Sequence, residues 1–138
     1  MVATILAAAV GPGLGGLRFP FLHDDRWAVV DNPVVREGID PVRILATNAW
    51  GDAPDHRHIP NYRPLSVLTL SVTHAFAGLA PLPYRLTNLL LHGAVSILLL
   101  FLALHLGVRR LPAFAGALWF AAHPVHSEAI FFAVNREE

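Results

Sequence analysis

The sequence predicts an all-α, polytopic membrane protein, and three observations carry that expectation. Of its 138 residues 54% are hydrophobic and 14% charged, with a mean hydropathy of +0.50. A soluble domain carries about a quarter charged residues. Residues 2–17, 64–84, 86–108 and 111–127 contain no Asp, Glu, Lys or Arg, and several of these runs approach the ~20 residues of a bilayer-crossing helix. The charge is gathered instead in residues 18–63, which hold six Arg, seven Asp or Glu and three His. Net charge is zero, so no global field draws in nucleic acid. Cysteine is absent, which excludes disulfides, thiolate catalysis and cysteine-based zinc sites.

In chain order, residues 1–17 ("MVATILAAAVGPGLGGL") read as a first transmembrane helix, short or clipped. The run lacks the basic start of a signal peptide, and "GPGLGG" weakens a helix. A signal peptide and an interfacial or disordered start remain open. Residues 18–63 read as a polar loop punctuated by "DNP", "GIDP", "GDAPD" and "IPNYRP", turn signals all, with one short amphipathic helix near "PVRILATNAW". Residues 64–84 are apolar, but "PLP" closes them and Arg85 alone separates them from the next run. Two full spans cannot reverse through so short a link. The segment therefore reads as a helix at the membrane edge.

Residues 86–106, "LTNLLLHGAVSILLLFLALHL", are the clearest transmembrane helix. "GVRRLP" follows, with Arg109 and Arg110 in a short loop and Pro112 suited to a first helical turn. Short Arg-rich loops are cytoplasmic, so the loop 18–63 falls on the outer face. A third membrane helix, 111–138, runs back outward and is broken at 123–128 by "HPVHSE". Polar breaks at membrane depth face a cavity rather than lipid. This topology returns "HPVHSE" to the face that holds "HDD". The chain reads as a piece of one larger membrane domain.

Three clusters carry candidate chemistry, each with a plainer alternative. Asp24 and Asp25 are a general base with an orienting or metal-binding partner, or else a solvated loop start in which Asp25 caps a helix at "RWAVV". His123, His126 and Glu128 suit metal ligation, hydrogen bonding to a phosphate or sugar, or the structural polar residues of a broken helix, with Ser127 or His126 as a cap. Arg63 pairs with a phosphate or snorkels. His74 and His92 read as hydrogen-bonded packing residues, Asn88 and Ser96 as bonds to neighbouring helices, and Trp27, Trp50 and Trp119 as interfacial anchors. His92 and His105, thirteen residues apart on one span, offer a haem-like spacing without a partner pair.

The order of these pieces resembles a known family. "F-x-x-DD" follows the first span, then "NP", "NAWGD" and "YRPLSVLTL"; "YRLTNLLLH", a Leu-rich span and "ALWFAAHPVHSEAI" complete it. This pattern, from about Phe19 to Glu137, is similar to the N-terminal membrane region of the transmembrane and tetratricopeptide-repeat-containing O-mannosyltransferases, bacterial-type relatives included. The resemblance implies a partial GT-C-type helical bundle with a long extracytoplasmic first loop. It implies a glycosyltransferase that moves mannose from a polyprenyl or dolichyl phosphate to a hydroxyl such as protein Ser or Thr. The membrane would be a bacterial inner membrane or the endoplasmic reticulum, with the active face extracytoplasmic. By motif, Asp24 and Asp25 are the catalytic acids, with Asp24 the favoured base. Arg63, His123, His126, Glu128 and Arg136 are the groups for donor phosphate or sugar. A divalent metal stays open. This chain has "NREE" where the family has "GR-x-E", and its first span is short and glycine-rich. An isolated piece of this size is expected to be inactive. The alternative is a non-catalytic membrane scaffold or assembly module of the same fold.

Overall fold

The computed structural model describes residues 1–51 and 61–132, the side chains of His23 and Phe131 excepted. All regular structure among them is helical. Helix α1 (Val2–Val10) runs into a 3-10 stretch at Gly11–Gly16. The short α2 (His23–Asp25) continues as one π-helical turn, Arg26–Val30, and is followed by α3 (Pro33–Arg36) and α4 (Pro41–Ala46). Then come α5 (Pro64–Ala77), α6 (Pro81–His105), α7 (Arg110–Ala122), a 3-10 turn at Pro124–His126 and α8 (Ser127–Phe131). Prolines open α3, α4, α5 and α6, where a missing N–H costs no bond and the fixed φ suits the first turn.

One helix among the described residues is long and apolar enough to cross a bilayer. That is α6, with 25 residues and a mean hydropathy of 2.0 over its best window, or ~37 Å at 1.5 Å per residue. It begins at Pro81, five residues before the expected span at Leu86. "PLP" therefore opens this helix rather than closing the one before it. The preceding helix α5 stops at Ala77, where Gly78 turns away at φ +57°. Arg85 lies inside the first turns of α6 and is turned inward, instead of marking an exposed link.

Two apolar clusters organise the chain. The base joins α1, α6 and α7 through Ile5, Ala9, Leu100, Ala113, Ala117 and Ala121, all buried. Small residues let these helices approach closely. Gly93 sits where an added Cβ would lie 3.1 Å from Leu6, and Gly13 where one would lie 2.6 Å from Leu89 and 2.9 Å from Ile130. Gly13 of the N-terminal run is thus a close-packing position as well as a helix weakener, whereas Gly11 and Gly15 face open space. The second cluster forms a cap from the π-turn, α3, α4, α5 and the start of α6: Val29, Val34, Val35, Ile44, Val67, Leu70 and Tyr84. Asn32 fastens it. This buried side chain accepts from the Val34 N–H at 3.0 Å and donates to the Ala49 carbonyl at 3.0 Å. The "NP" and "NAWG" signals are therefore two halves of one contact. Gly51, at φ +63°, closes it, since a Cβ there would fall 2.4 Å from Asn32 Oδ1.

Helix α6 has two unlike faces. Arg85, Asn88, His92 and Ser96 are buried on one side, at the spacing of a helical stripe. Leu90, Leu98 and Phe101 are more than half exposed on the other. Polar groups turned in and leucines turned out is the arrangement a bilayer favours.

Candidate functional site

The two aspartates have different environments. Asp25 is fully buried. Its Oδ2 accepts from the Leu22 N–H at 3.1 Å and lies 4.0 Å from Arg85 Nη2. Asp24 is exposed. The expectation that Asp25 caps the helix at "RWAVV" is corrected. Its side chain makes no capping bond to that turn but reaches back to Leu22, because the buried guanidinium lies on that side.

Arg85 is the residue the sequence reading passed over. It is 2% exposed and donates to three backbone carbonyls, those of Gly16 (3.3 Å), Phe19 and Pro20 (2.6 Å). Its neighbour Tyr84 donates to the Gly78 carbonyl at 2.8 Å and meets Phe21 edge-to-face at 5.4 Å. The "YR" pair thus docks the segment 16–25 onto the start of α6. Along the chain it is marked only as a lone charge in an apolar run, with Asn88 and His92 three and seven residues on.

The second cluster lies at the break after α7. Helix α7 ends at Ala122, and Pro124 prevents its continuation. His123 Nδ1 accepts from the Val125 N–H at 3.2 Å. His123 therefore caps the 3-10 turn, while His126, which precedes α8, makes no side-chain capping bond to it. The His126 ring lies 4.3 Å from Phe120, 5.1 Å from His92 and 6.3 Å from His123. Burial, then the neighbouring His92 and His123, hold its pKa below the ordinary value. His92 Nε2 bonds the Ala121 carbonyl at 3.1 Å, which fits the packing role expected of it. Glu128 is exposed in the first turn of α8. Among the described residues no group of three or more His, Asp or Glu is arranged to hold a metal ion. A pocket of about 220 Å³ opens here, lined by Pro12, Gly13, Ala121, His123, Ser127 and Ile130 among others.

Both clusters hang on the N-terminal half of α6. Arg85 holds the acid loop, Asn88 Nδ2 donates to the Phe132 carbonyl at 2.5 Å, and His92 holds the end of α7. From Arg85 to His92 the helix rises only ~10 Å. The acid couplet and the histidine-proline break are therefore both tied to the N-terminal half of α6. Half-buried Arg63 stands at the N-terminal boundary of α5, its carbonyl accepting from the Val67 N–H at 3.1 Å. Ser96 bonds the His92 carbonyl of its own helix at 2.8 Å rather than a neighbouring helix. Arg136 lies outside the described residues.

Comparison with known proteins adds a functional context. No family model matches the chain, and no solved structure matches it. Curated proteins do. The chain is 39% identical to the protein O-mannosyl-transferase TMTC1 of Mus musculus, over 88% of this chain and 13% of that protein. It is 33% identical to the protein O-mannosyl-transferase TMTC2 of Mus musculus, over 100% of this chain and 17% of that protein. Against the protein O-mannosyl-transferase Tmtc1 of Drosophila melanogaster, identity is 32% over 91% of this chain and 15% of that protein. The chain is thus homologous over most of its length to proteins named O-mannosyl-transferases. It spans less than a fifth of the length of each of these relatives.

Proposed function

We propose that this chain is part of an integral-membrane glycosyltransferase of GT-C architecture. The enzyme transfers mannose from a polyprenyl or dolichyl phosphate to a hydroxyl of a protein Ser or Thr. The observation that carries the reading is the similarity to proteins named protein O-mannosyl-transferases. It extends over the whole chain in one case, and so takes in both the acid couplet and the histidine-proline break.

The chemistry needs a base at the height where a lipid-borne sugar phosphate leaves the headgroups. Asp24 is exposed beside the N-terminal half of α6, the half that also carries His92, which suits it to that role. Its carboxylate takes the acceptor hydroxyl proton as the oxygen attacks the anomeric carbon. The sugar–phosphate bond breaks and its electrons pass to the departing lipid phosphate. Donors near that oxygen stabilise the charge, a role given to Arg63, His123, His126 and Arg136, while Glu128 accepts from sugar hydroxyls. The short "GVRR" loop at the far end of α6 supports an extracytoplasmic site.

In the full-length protein, Asp24→Asn lowers mannosyl transfer by about 10²–10⁴-fold, the usual share of a general base, while membrane insertion is unchanged. Undiminished transfer by a properly inserted Asp24→Asn protein refutes the assignment.

A further inference from the structure

We infer that Arg85 is the positioning residue of this site: it holds the segment that carries the acid couplet, and so sets where the Asp24 carboxylate stands. The inference rests on the glycosyltransferase reading for its catalytic consequence. Its structural half stands alone.

The contacts form a clamp. Upstream of the couplet, Arg85 Nη1 donates to the Gly16 and Phe19 carbonyls and Nη2 to the Pro20 carbonyl. Downstream, Asp25 Oδ2 lies 4.0 Å from Nη2, and the same oxygen accepts from the Leu22 N–H. Residues 16–25 thus wrap around one guanidinium borne on α6, the longest helix described. The segment has little regular structure of its own to hold it. Between the 3-10 stretch ending at Gly16 and His23 there is no helix or strand, and α2 is three residues long. Orphan carbonyls turned inward are costly unless bonded, and here the arginine satisfies three of them. Asp25 supplies the countercharge that makes burying the guanidinium tolerable. The adjacent Asp24 is then left exposed at a defined place. The two aspartates divide the work, one anchoring the loop and the other facing the substrate side.

The clamp needs a fork and not merely a charge. Two separate terminal nitrogens reach different carbonyls. An ammonium is a single point with three donors on one atom, and cannot span them. Arg85→Lys keeps the positive charge beside Asp25 but loses that span, so it separates geometry from electrostatics.

The test uses the full-length protein in membranes or nanodiscs, with Arg85→Lys and Arg85→Ala beside the parent. Two quantities are read: amide hydrogen exchange over 16–25 and over 97–104 of α6, and the steady-state kinetics of mannosyl transfer from a lipid-linked donor. Arg85→Lys is expected to speed exchange over 16–25 by about tenfold, as a locally opened segment does, with 97–104 unchanged. The kcat of this variant should fall by about 10²-fold, the scale of a misplaced catalytic group, with KM for the donor within about threefold. Arg85→Ala should show both effects more strongly. Exchange over 16–25 as slow as the parent's in both variants overturns the inference, whatever the activity does. Faster exchange with undiminished kcat overturns it too, because the loop would then be held without consequence. A parent protein with no transferase activity sinks the functional reading alone, and the exchange result still decides whether Arg85 holds the loop.

Discussion

The cap formed by the π-turn, α3, α4 and α5 and the base formed by α1, α6 and α7 are fastened by different physics. In the cap, single polar side chains make directional bonds between segments distant in sequence. Asn32 reaches Ala49, and Arg85 reaches Gly16, Phe19, Pro20 and Asp25. In the base, the shared surface is mostly Ile5, Ala9, Leu100, Ala113, Ala117 and Ala121, where closeness is set by residue size, with the His92 bond to the Ala121 carbonyl added to it. The contrast fits the two solvents proposed for them. Between helices in lipid, apolar burial supplies little drive, so small residues that permit close backbones do the fastening. A loop region facing water has many backbone groups to satisfy and few regular elements, so buried polar side chains take over. The base should therefore be sensitive to added bulk, and the cap to deleted polar atoms.

The largest effect on stability should come from the cap. Asn32→Ala removes the N-cap of α3 and leaves the buried Ala49 carbonyl short of a donor, for a loss of about 2–4 kcal/mol from the two terms together. Thermal or denaturant unfolding of the purified protein in detergent would measure it. A loss below half a kilocalorie would erase the contrast on the cap side. In the base, Ala117→Leu inserts bulk where α7 meets α1 and α6, and should cost about 1–3 kcal/mol. A neutral or stabilising result would mean that the base is loosely packed.

Protonation sharpens the comparison where the regions meet. Because the His126 pKa is held below its ordinary value by burial, His92 and His123, the folded state binds this proton less readily than the unfolded chain. Stability from this group is therefore complete above the unfolded-state pKa of about 6.5. It declines as pH falls below that value towards the lower folded-state pKa. Unfolding scans between pH 8 and 5 should show a falling midpoint, and His126→Gln should flatten that slope. An unchanged slope in the variant would assign the pH response to other groups. The smallest effect is expected at Ser96. Its hydroxyl bonds only the i−4 carbonyl of its own helix, so Ser96→Ala should change stability by about half a kcal/mol or less. A larger loss would show that Ser96 bridges helices after all.

Much of this arrangement could be read from residue order. The charge-free runs announce helices, the prolines mark where four of them start, and "HPVHSE" marks where α7 breaks. These are local effects of sterics and solvation, which act within a few residues of their cause. The helix boundary at Pro81 and the role of Arg85 were harder. An arginine between two apolar runs looks, along the chain, like an exposed link. Only the return of residues 16–25 against α6 turns it inward.

The sequence alone determined that this chain is helical, where its polar residues gather and which pairs of motifs have to be explained. It did so because periodicity, proline placement and hydropathy are properties of neighbours. The tertiary structure alone decided that Asp25 is buried while Asp24 is exposed, that Asn32 joins "NP" to "NAWG", and that the α6 residues anchoring the two polar clusters, Arg85 and His92, stand ~10 Å apart along its N-terminal half. Burial, and the partners it forces on a polar group, depend on which distant segment returns to cover it.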